Sequence, residues 1–430
     1  MNPDDLASAR WFRSKGRAIA SVAEVDRAPL DRPGAALLVF EVRFADGGQP
    51  ERYLAPTLDG REPADGEGVW QALVRAMAAG AELTGSSGAF LASSTEALER
   101  LVPSTHASAE ALTERRLHVE QSNTSVVLGE RLILKLYRLL EPGTSPDVEI
   151  SLFLTGAGFG SVPAVAGSLA YRAGDGSLGA AAMLQEFVPS GGDAWVAMLR
   201  ALGTNPDDAV ALAHRVGAVT AELHRALASR PDDPAFPARV ATGVESAAWR
   251  ESAERQLAQA VSAVRGEEHE RLVALAPRAR ERFADTFGAA GGDARVSRVH
   301  GDYHLGQLLV RPDGGLMVID FEGEPARPIE ERRMPGSPLR DVAGLLRSLD
   351  YAARTAEAGI HAAGFEAESW LHDARAAFLA GYGGIGPHER QLLDAFELEK
   401  ACYEIRYEAN NRPTWRWLPL AAVERLLASR

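Results

Sequence analysis

The octapeptide His300-Gly301-Asp302-Tyr303-His304-Leu305-Gly306-Gln307 is followed by the triplet LLV, a turn over Pro312 to Gly315, and LMVIDFEGEP with Asp320 and Glu322. Two short strands flanking a Gly-rich turn carry polar residues at both outer ends, so Asp302, Gln307 and Asp320 can converge on one point. Phosphoryl transfer needs such a set: a carboxylate to accept the attacking hydroxyl's proton, and hard oxygen ligands for Mg²⁺. A bare HGD triplet is a weak signal, but with Gln307 and a second strand-borne Asp 18 residues on it is specific. The plainer alternative has both carboxylates capping turns. His300 and His304 belong to a residue type that, beside a reactive loop, more often bonds backbone than reacts.

Of the 46 Lys and Arg residues only Lys15, Lys135 and Lys400 are lysines, leaving 43 arginines, so each lysine marks a position where a compact ammonium is kept. Lys135 sits in LILKLY among Leu132, Leu134 and Leu136, so its charge projects from an apolar ribbon and needs a partner. Glu149 in PDVEISLFL is the expected one, since a strand lysine and a helix glutamate form the pair by which kinases position nucleotide phosphates. A lysine on an exposed edge strand is the alternative. Gln121, Ser122, Asn123, Thr124 and Ser125 precede this strand where a phosphate-covering loop would lie. With no glycine before Gly129, hydroxyl and backbone donors would have to serve.

In the tail, Tyr403 and Tyr407 share one helical face at i,i+4, Glu404 and Glu408 share the adjacent one, and Lys400 can pair with Glu404. Asn410, Asn411, Arg412, Trp415 and Trp417 follow. Aromatic faces beside carboxylates and amides suit a sugar, whose C–H face stacks while its hydroxyls seek acceptors. A packed terminal helix with a solvated acidic edge would read the same way.

The elements that must hold these clusters change character along the chain. The first ninety residues read as strands and hairpins, with Ala36 to Phe44 alternating and a turn at Gly47-Gly48. A Gly-, Ala- and Ser-rich stretch from Gly80 to Ser94 suggests a boundary near residue 90, and Glu96 to Leu101 a short helix. Strands return from His118 to Val188, interrupted by a helix from Pro146 to Leu154. After Pro189 helices dominate: Asn205 can cap, Pro206 fits the first position, and Leu212, Val216, Val219, Leu223 and Leu227 follow at helical spacing. A strand-rich front and a helical rear suggest two lobes with a ligand cleft.

Composition bounds the partners. At 430 residues the chain exceeds one ordinary domain, and no apolar run reaches the length of a membrane span. A formal charge of −13 disfavours nucleic acid as a partner. One cysteine, Cys402, allows no internal disulfide, and the first residues lack signal-peptide order, so a cytoplasmic monomer or homodimer acting on small molecules is expected.

The segments EQSNTSVVLGERLILKLYR, PDVEISLFLT, HGDYHLGQLL, VIDFEGEPARPIEERR, SPLRDVAGLLRSLDYAA and FELEKACYEIRYEANNRPTW resemble the maltokinase branch of the aminoglycoside-phosphotransferase-like, protein-kinase-like superfamily. Arg10-Trp11-Phe12 through Gly16-Arg17 is similar to that branch's cap opening, so the likeness spans almost the whole chain. It implies a bilobal α+β fold: a β-rich cap over residues 1–90, an intermediate subdomain over 91–188 completing the nucleotide lobe, and a mostly α-helical lobe over 189–430 with the sugar pocket. It also implies Asp302 as base, Gln307 and Asp320 as Mg²⁺ ligands, Lys135 on the ATP phosphates with Glu149 as partner, and Gln185, Glu186 and Val188 in a hinge meeting adenine. Gln307 stands where the superfamily usually has Asn, and supplies the same carbonyl.

Substrate contacts are expected from Tyr303, His304, Glu322, Tyr403, Glu404, Tyr407, Glu408, Arg412, Trp415 and Trp417. Tyr303 stands where maltokinases carry Leu, and Trp417 near a small or aliphatic position. Added bulk favours a monosaccharide and added carboxylates a cationic one, as in the related actinobacterial glucosamine kinases. Glucosamine, giving glucosamine 6-phosphate, is therefore the leading acceptor. Maltose, giving maltose 1-phosphate, is the alternative, followed by an aminoglycoside or a non-catalytic kinase-like binding role.

Overall fold

The computed structural model describes residues 6–7, 9–102, 112–117, 122–289, 294–324, 327–359 and 365–428. They gather into two compact units: a front unit of residues 1–189 with 327–331, and a rear unit of residues 190–326 with 332–430.

In the front unit β1 (Ile19–Pro29), β2 (Ala35–Phe44) and β3 (Glu51–Leu58) form an antiparallel three-stranded sheet. Period-two alternation lets β2 serve two cores. Ala35, Leu37 and Val39 join the large apolar cluster of this unit, while Ala36, Leu38 and Phe40 pack with Ala55. Helix α1 (Val69–Ala78) follows, then β4 (Glu82–Thr84), β5 (Ala89–Ser94), α2 (Glu96–Leu101), β6 (Glu114–Leu117), β7 (Asn123–Leu128), β8 (Leu132–Tyr137), α3 (Pro146–Gly156), β9 (Val165–Arg172) and β10 (Leu178–Glu186). The strands from β4 onward form one antiparallel sheet in the order β4-β5-β9-β10-β8-β7-β6.

Two features of this unit add to what the sequence shows. The stretch from Gly80 to Ser94, read as a boundary, contains β4 and β5 of this larger sheet, and residue 90 lies inside β5. Helix α1 was not foreseen. Its N-cap is Gly68, with no side-chain cap of its own; the buried carboxylate of Glu114 accepts instead from Gly68 N and Gln71 N, both at 3.0 Å. A cap supplied from more than forty residues away leaves no local signature.

The rear unit is mostly helical. It contains α4 (Ala194–Thr204), α5 (Pro206–Leu227), α6 (Gly243–Ala263), α7 (Gly266–Ala289), the last two residues of the short α8 (Ile329–Arg333), α9 (Leu339–Gly359), α10 (Ala367–Tyr382), α11 (Pro387–Asn411) and α12 (Trp417–Ala428). Its strands pair as β11 (Arg239–Val240) with β12 (Arg295–Val296), and β13 (Leu308–Val310) with β14 (Leu316–Val318). Asn205 caps α5 as its sequence indicates, its side chain accepting from Asp207 N. The fold class is thus mixed, strand-rich in front and helical behind. No described helix is long and apolar enough to cross a membrane.

Candidate active site

In the front unit the sheet itself presents the lysine. Strand β8 is interior, between β10 and β7, which removes the edge-strand reading of Lys135. Its odd-numbered positions face away from Leu132, Leu134 and Leu136. Lys135 is opposite Ser125 on β7 and Met183 on β10, so these three share a face, as do Asn123 with Tyr137 and Gln185 with Ile133. The ammonium lies 2.8 Å from Asp147 Oδ2, and Tyr137 donates to the same oxygen at 2.8 Å. Asp147 is buried at the first turn of α3, two residues before the half-buried Glu149, and is an addition to the expectation that named Glu149. Its signal was present in PDVE, where both acids fall in one first turn.

Thr124 departs from expectation. It alternates to the other face, where its buried hydroxyl accepts from Arg138 Nε at 2.8 Å, so it does not stand with Lys135. Ser122 is half-buried at the start of β7, and Gln121 lies outside the described residues. After β10, Glu186 N and Phe187 N donate to Ala164 and Arg131 carbonyls, whereas the Val188 N–H donates to no described residue. Glu186 lies opposite Leu132, on the face away from Lys135.

In the rear unit the reactive loop hangs from α9. The buried Asp341 accepts from His300 N at 2.8 Å and from Gly301 N at 3.0 Å, and its Oδ2 also contacts His224 Nε2 at 3.1 Å. His224 in turn reaches Tyr382 through Nδ1 at 2.9 Å. Burial pushes the Asp341 carboxyl up, but His224 and the backbone donors outweigh it and hold it below its ordinary value. One and two turns along the same helix face, Gly344 leaves room for the Tyr303 carbonyl, which a Cβ would meet at 2.5 Å, and Ser348 accepts from Leu305 N at 3.2 Å.

His300 is a structural tie. Fully buried, it donates from Nε2 to the Ile319 carbonyl at 2.9 Å and packs against Tyr303 and Phe321. It therefore joins the loop bearing Asp302 to the strand end bearing Asp320. Its unprotonated Nδ1 accepts from Asp302 N at 3.4 Å.

The expected hairpin forms, with β13 and β14 in register from Leu308 opposite Val318. It brings Gln307 Nε2 to 3.3 Å from Asp320 Oδ2, and Asp320 and Glu322 each offer a carboxylate oxygen within 4.8 Å of the other. Asp320 has φ 68°, left-handed for a non-Gly residue, a conformation costing on the order of 1–3 kcal/mol that persists where the surroundings enforce it. Half-buried Asp302 has Oδ1 at 3.5 Å from Lys400 Nζ on α11. His304 caps the short 3₁₀ turn that follows, accepting from Gly306 N and leaning on Gln307. The donor set suits Mg²⁺: hard carboxylate oxygens, and an amide whose carbonyl turns into the position of its nitrogen by a half-rotation.

Three acceptor-side expectations are corrected. Tyr303 is buried beneath the loop, 3% exposed, with its hydroxyl 3.4 Å from Thr220 on α5, and so adds no bulk to an open pocket. Glu404 is buried against Arg347 at 2.8–2.9 Å. Glu408, 1% exposed, accepts from Tyr351 and, in a bidentate pair, from Arg412. Glu404 neutralises Arg347, which helical spacing along α11 does not reveal, while Glu408 neutralises Arg412 at i,i+4. The aromatic residues stay on the surface: Tyr403 and Tyr407 are stacked 6.3 Å apart, Trp415 lies parallel to Tyr351, and Trp417 is half-exposed. With Lys400 4.6 Å from the Tyr403 ring centre and Arg412 reaching Tyr407 and Trp415, a continuous cation–aromatic strip runs from Asp302 along α11 to Trp415.

Known proteins resemble this chain in sequence and in fold. The profile of the phosphotransferase enzyme family matches residues 113–385, and that of the maltokinase N-terminal cap domain matches residues 6–85. A glucosamine kinase of Streptacidiphilus jiangxiensis is 31% identical over 335 residues, covering 74% of each chain. Another, of Mycolicibacterium smegmatis, is 30% identical over 336 residues, covering 75% of this chain and 81% of its own. Among solved structures, a glucosamine kinase in one crystal form superposes with a TM-score of 0.73 at 27% identity over the whole of both chains. A glucosamine kinase in complex with glucosamine, ADP and inorganic phosphate gives 0.72 at 27% over 99% of both.

Proposed function

The chain belongs to the phosphotransferase enzyme family and is an ATP-dependent sugar phosphotransferase, and from that premise we propose that its acceptor is glucosamine, converted to glucosamine 6-phosphate. The observation that carries the acceptor is the likeness, across 74% and 75% of this chain, to two glucosamine kinases. The corrected positions of Tyr303, Glu404 and Glu408 no longer argue for it.

In the proposed reaction the sugar's 6-hydroxyl oxygen bonds to the γ-phosphorus of ATP while the bond from that phosphorus to the bridging oxygen breaks, releasing ADP. Asp302 takes the hydroxyl proton. In the front unit Lys135, kept in line by Asp147 and Tyr137, holds phosphate oxygens, with Ser122, Asn123 and Ser125 as further donors and Glu149 as a second carboxylate beside the lysine. The Val188 N–H, which has no acceptor among the described residues, and the chain at Gln185 and Glu186 serve adenine. Asp320 and Gln307, with Glu322 adjacent, would hold Mg²⁺, which when bound neutralises charge on the phosphates. Tyr403 and Tyr407 offer ring faces to the sugar, and Arg412, Trp415 and Trp417 extend that surface.

The match of residues 6–85 to a maltokinase cap favours maltose as the second reading. ADP formation with glucosamine, glucose and maltose side by side decides between them. Glucosamine should lead glucose in kcat/KM by roughly tenfold or more, since one lost charge-assisted contact is worth about 1.5–3 kcal/mol. If maltose leads, the chain is a maltokinase; if only a larger aminoglycoside turns over, the sugar assignment gives way.

A further inference from the structure

Lys400 has no part in the chemistry so far. It lies on α11, far in sequence from the reactive loop, yet its Nζ is 3.5 Å from Asp302 Oδ1 and 3.2 Å from Glu324 Oε1. Its side chain is 24% exposed and that of Glu324 only 12%, so the ammonium is set into the surface with a carboxylate on either side. Burial works against its charge, but Glu324 and Asp302 outweigh burial and hold its pKa above the ordinary lysine value. Asp302 is otherwise lightly held. Its N–H donates to His300 Nδ1, and its second carboxylate oxygen, Oδ2, accepts no hydrogen bond from any described residue.

We infer that Lys400 is a positioning residue for the transfer step: anchored by Glu324, it tethers Asp302 through Oδ1 and so presents Oδ2 to the acceptor hydroxyl. The inference rests on the reading of Asp302 as base. A carboxylate on an open loop would otherwise sample several rotamers, and fixing a reacting group is a large part of what a transfer site supplies. It also accounts for a lysine in a chain that uses 43 arginines. A guanidinium at this point would grip both oxygens of one carboxylate through its fork and cover the one that must stay open. A compact ammonium can hold one oxygen of each of two carboxylates.

The test is a double-mutant cycle on the full-length enzyme, with kcat and both KM values for wild type, Asp302→Asn, Lys400→Met and the pair. Lys400→Met should lower kcat on the order of tenfold to a hundredfold with both KM values within about threefold of wild type. Lys400→Arg should not restore kcat. In the Asp302→Asn background the same Met substitution should cost less than about twofold more, because the group it positions is already gone. A purely structural lysine would instead add its full cost there. That additive result, a single-variant kcat within about threefold of wild type, or a raised sugar KM at unchanged kcat would each overturn the assignment. Asp302→Asn with wild-type turnover would defeat the base reading itself, a result that a failure of the Lys400 inference does not produce. Lys400→Gln run in parallel keeps the cycle readable if the Met variant does not fold.

Discussion

Lys135 stands on an interior strand, hydrogen-bonded to β7 and β10 on its two sides, and its carboxylate partner enters from a helix only 12 residues on. Asp302 stands on a loop whose geometry is set from behind, by Asp341 of α9, 41 and 40 residues after His300 N and Gly301 N, by Ser348, 43 residues after Leu305 N, and through Asp341 by His224 of α5. The setting of Lys135 in the front unit is thus made stiff by a ladder, and that of Asp302 in the rear unit by a few buried side chains. A ladder spreads the cost of a lost contact over many hydrogen bonds. A loop hung from one carboxylate concentrates it.

This contrast predicts where substitutions hurt. The largest effect is expected at Asp320, whose oxygen stands with Gln307 and Glu322 and whose backbone is held left-handed. Asp320→Ala should abolish ADP formation even at high Mg²⁺, and full activity of the wild type in excess EDTA would contradict the metal role. Next is Lys135→Ala, which should raise KM for ATP by about tenfold to a hundredfold, the loss of a charge-assisted contact, and leave sugar KM unaltered. An unaltered ATP response would return the lysine to a structural part.

Asp341→Asn probes the hung loop. Asparagine keeps one acceptor but turns an N–H toward a second donor, so kcat should drop by roughly tenfold while ATP KM holds, given about 1.5–3 kcal/mol for a charged hydrogen bond. Because the Asp341 carboxyl is held below its ordinary value in the folded chain, its contribution to stability is complete above about pH 4 and is lost as pH falls through the lower folded value. The difference between wild type and Asp341→Asn in urea unfolding should therefore be full at pH 7 and shrink below pH 4. A difference independent of pH would mean that charge is not what holds the loop. The smallest effect is expected for Tyr303→Phe, which removes one 3.4 Å contact to Thr220 and should leave kcat within about threefold and sugar preference unaltered.

The same contrast explains what the amino-acid sequence made legible. Local rules governed β8, whose period of two sets Lys135 apart from its leucines, the hairpin around Pro312 to Gly315, and α5 with its Asn205 cap. Where distant residues do the fixing, the sequence carries no local signal. Helix α1 takes its cap from Glu114, and Asp341 looks like any first-turn acid until it is seen under His300 and Gly301. The alternation i,i+4 correctly grouped Glu404 with Glu408 but could not show Arg347 waiting opposite, so a buried ion pair read as an open acidic pocket. Tyr303 differs from its expected place for a related reason: neighbours in a loop motif need not point the same way, and its ring turns under the loop while Asp302 stays half-exposed.

In the proposed transfer Asp302 accepts the sugar's proton, and the most direct measurement is turnover of Asp302→Asn at saturating sugar, alongside its affinity for ATP. Loss of a general base costs on the order of 10² to 10⁴ in rate, so kcat should drop by that much while ATP binds as in the wild type. Turnover within about threefold of wild type would contradict the account.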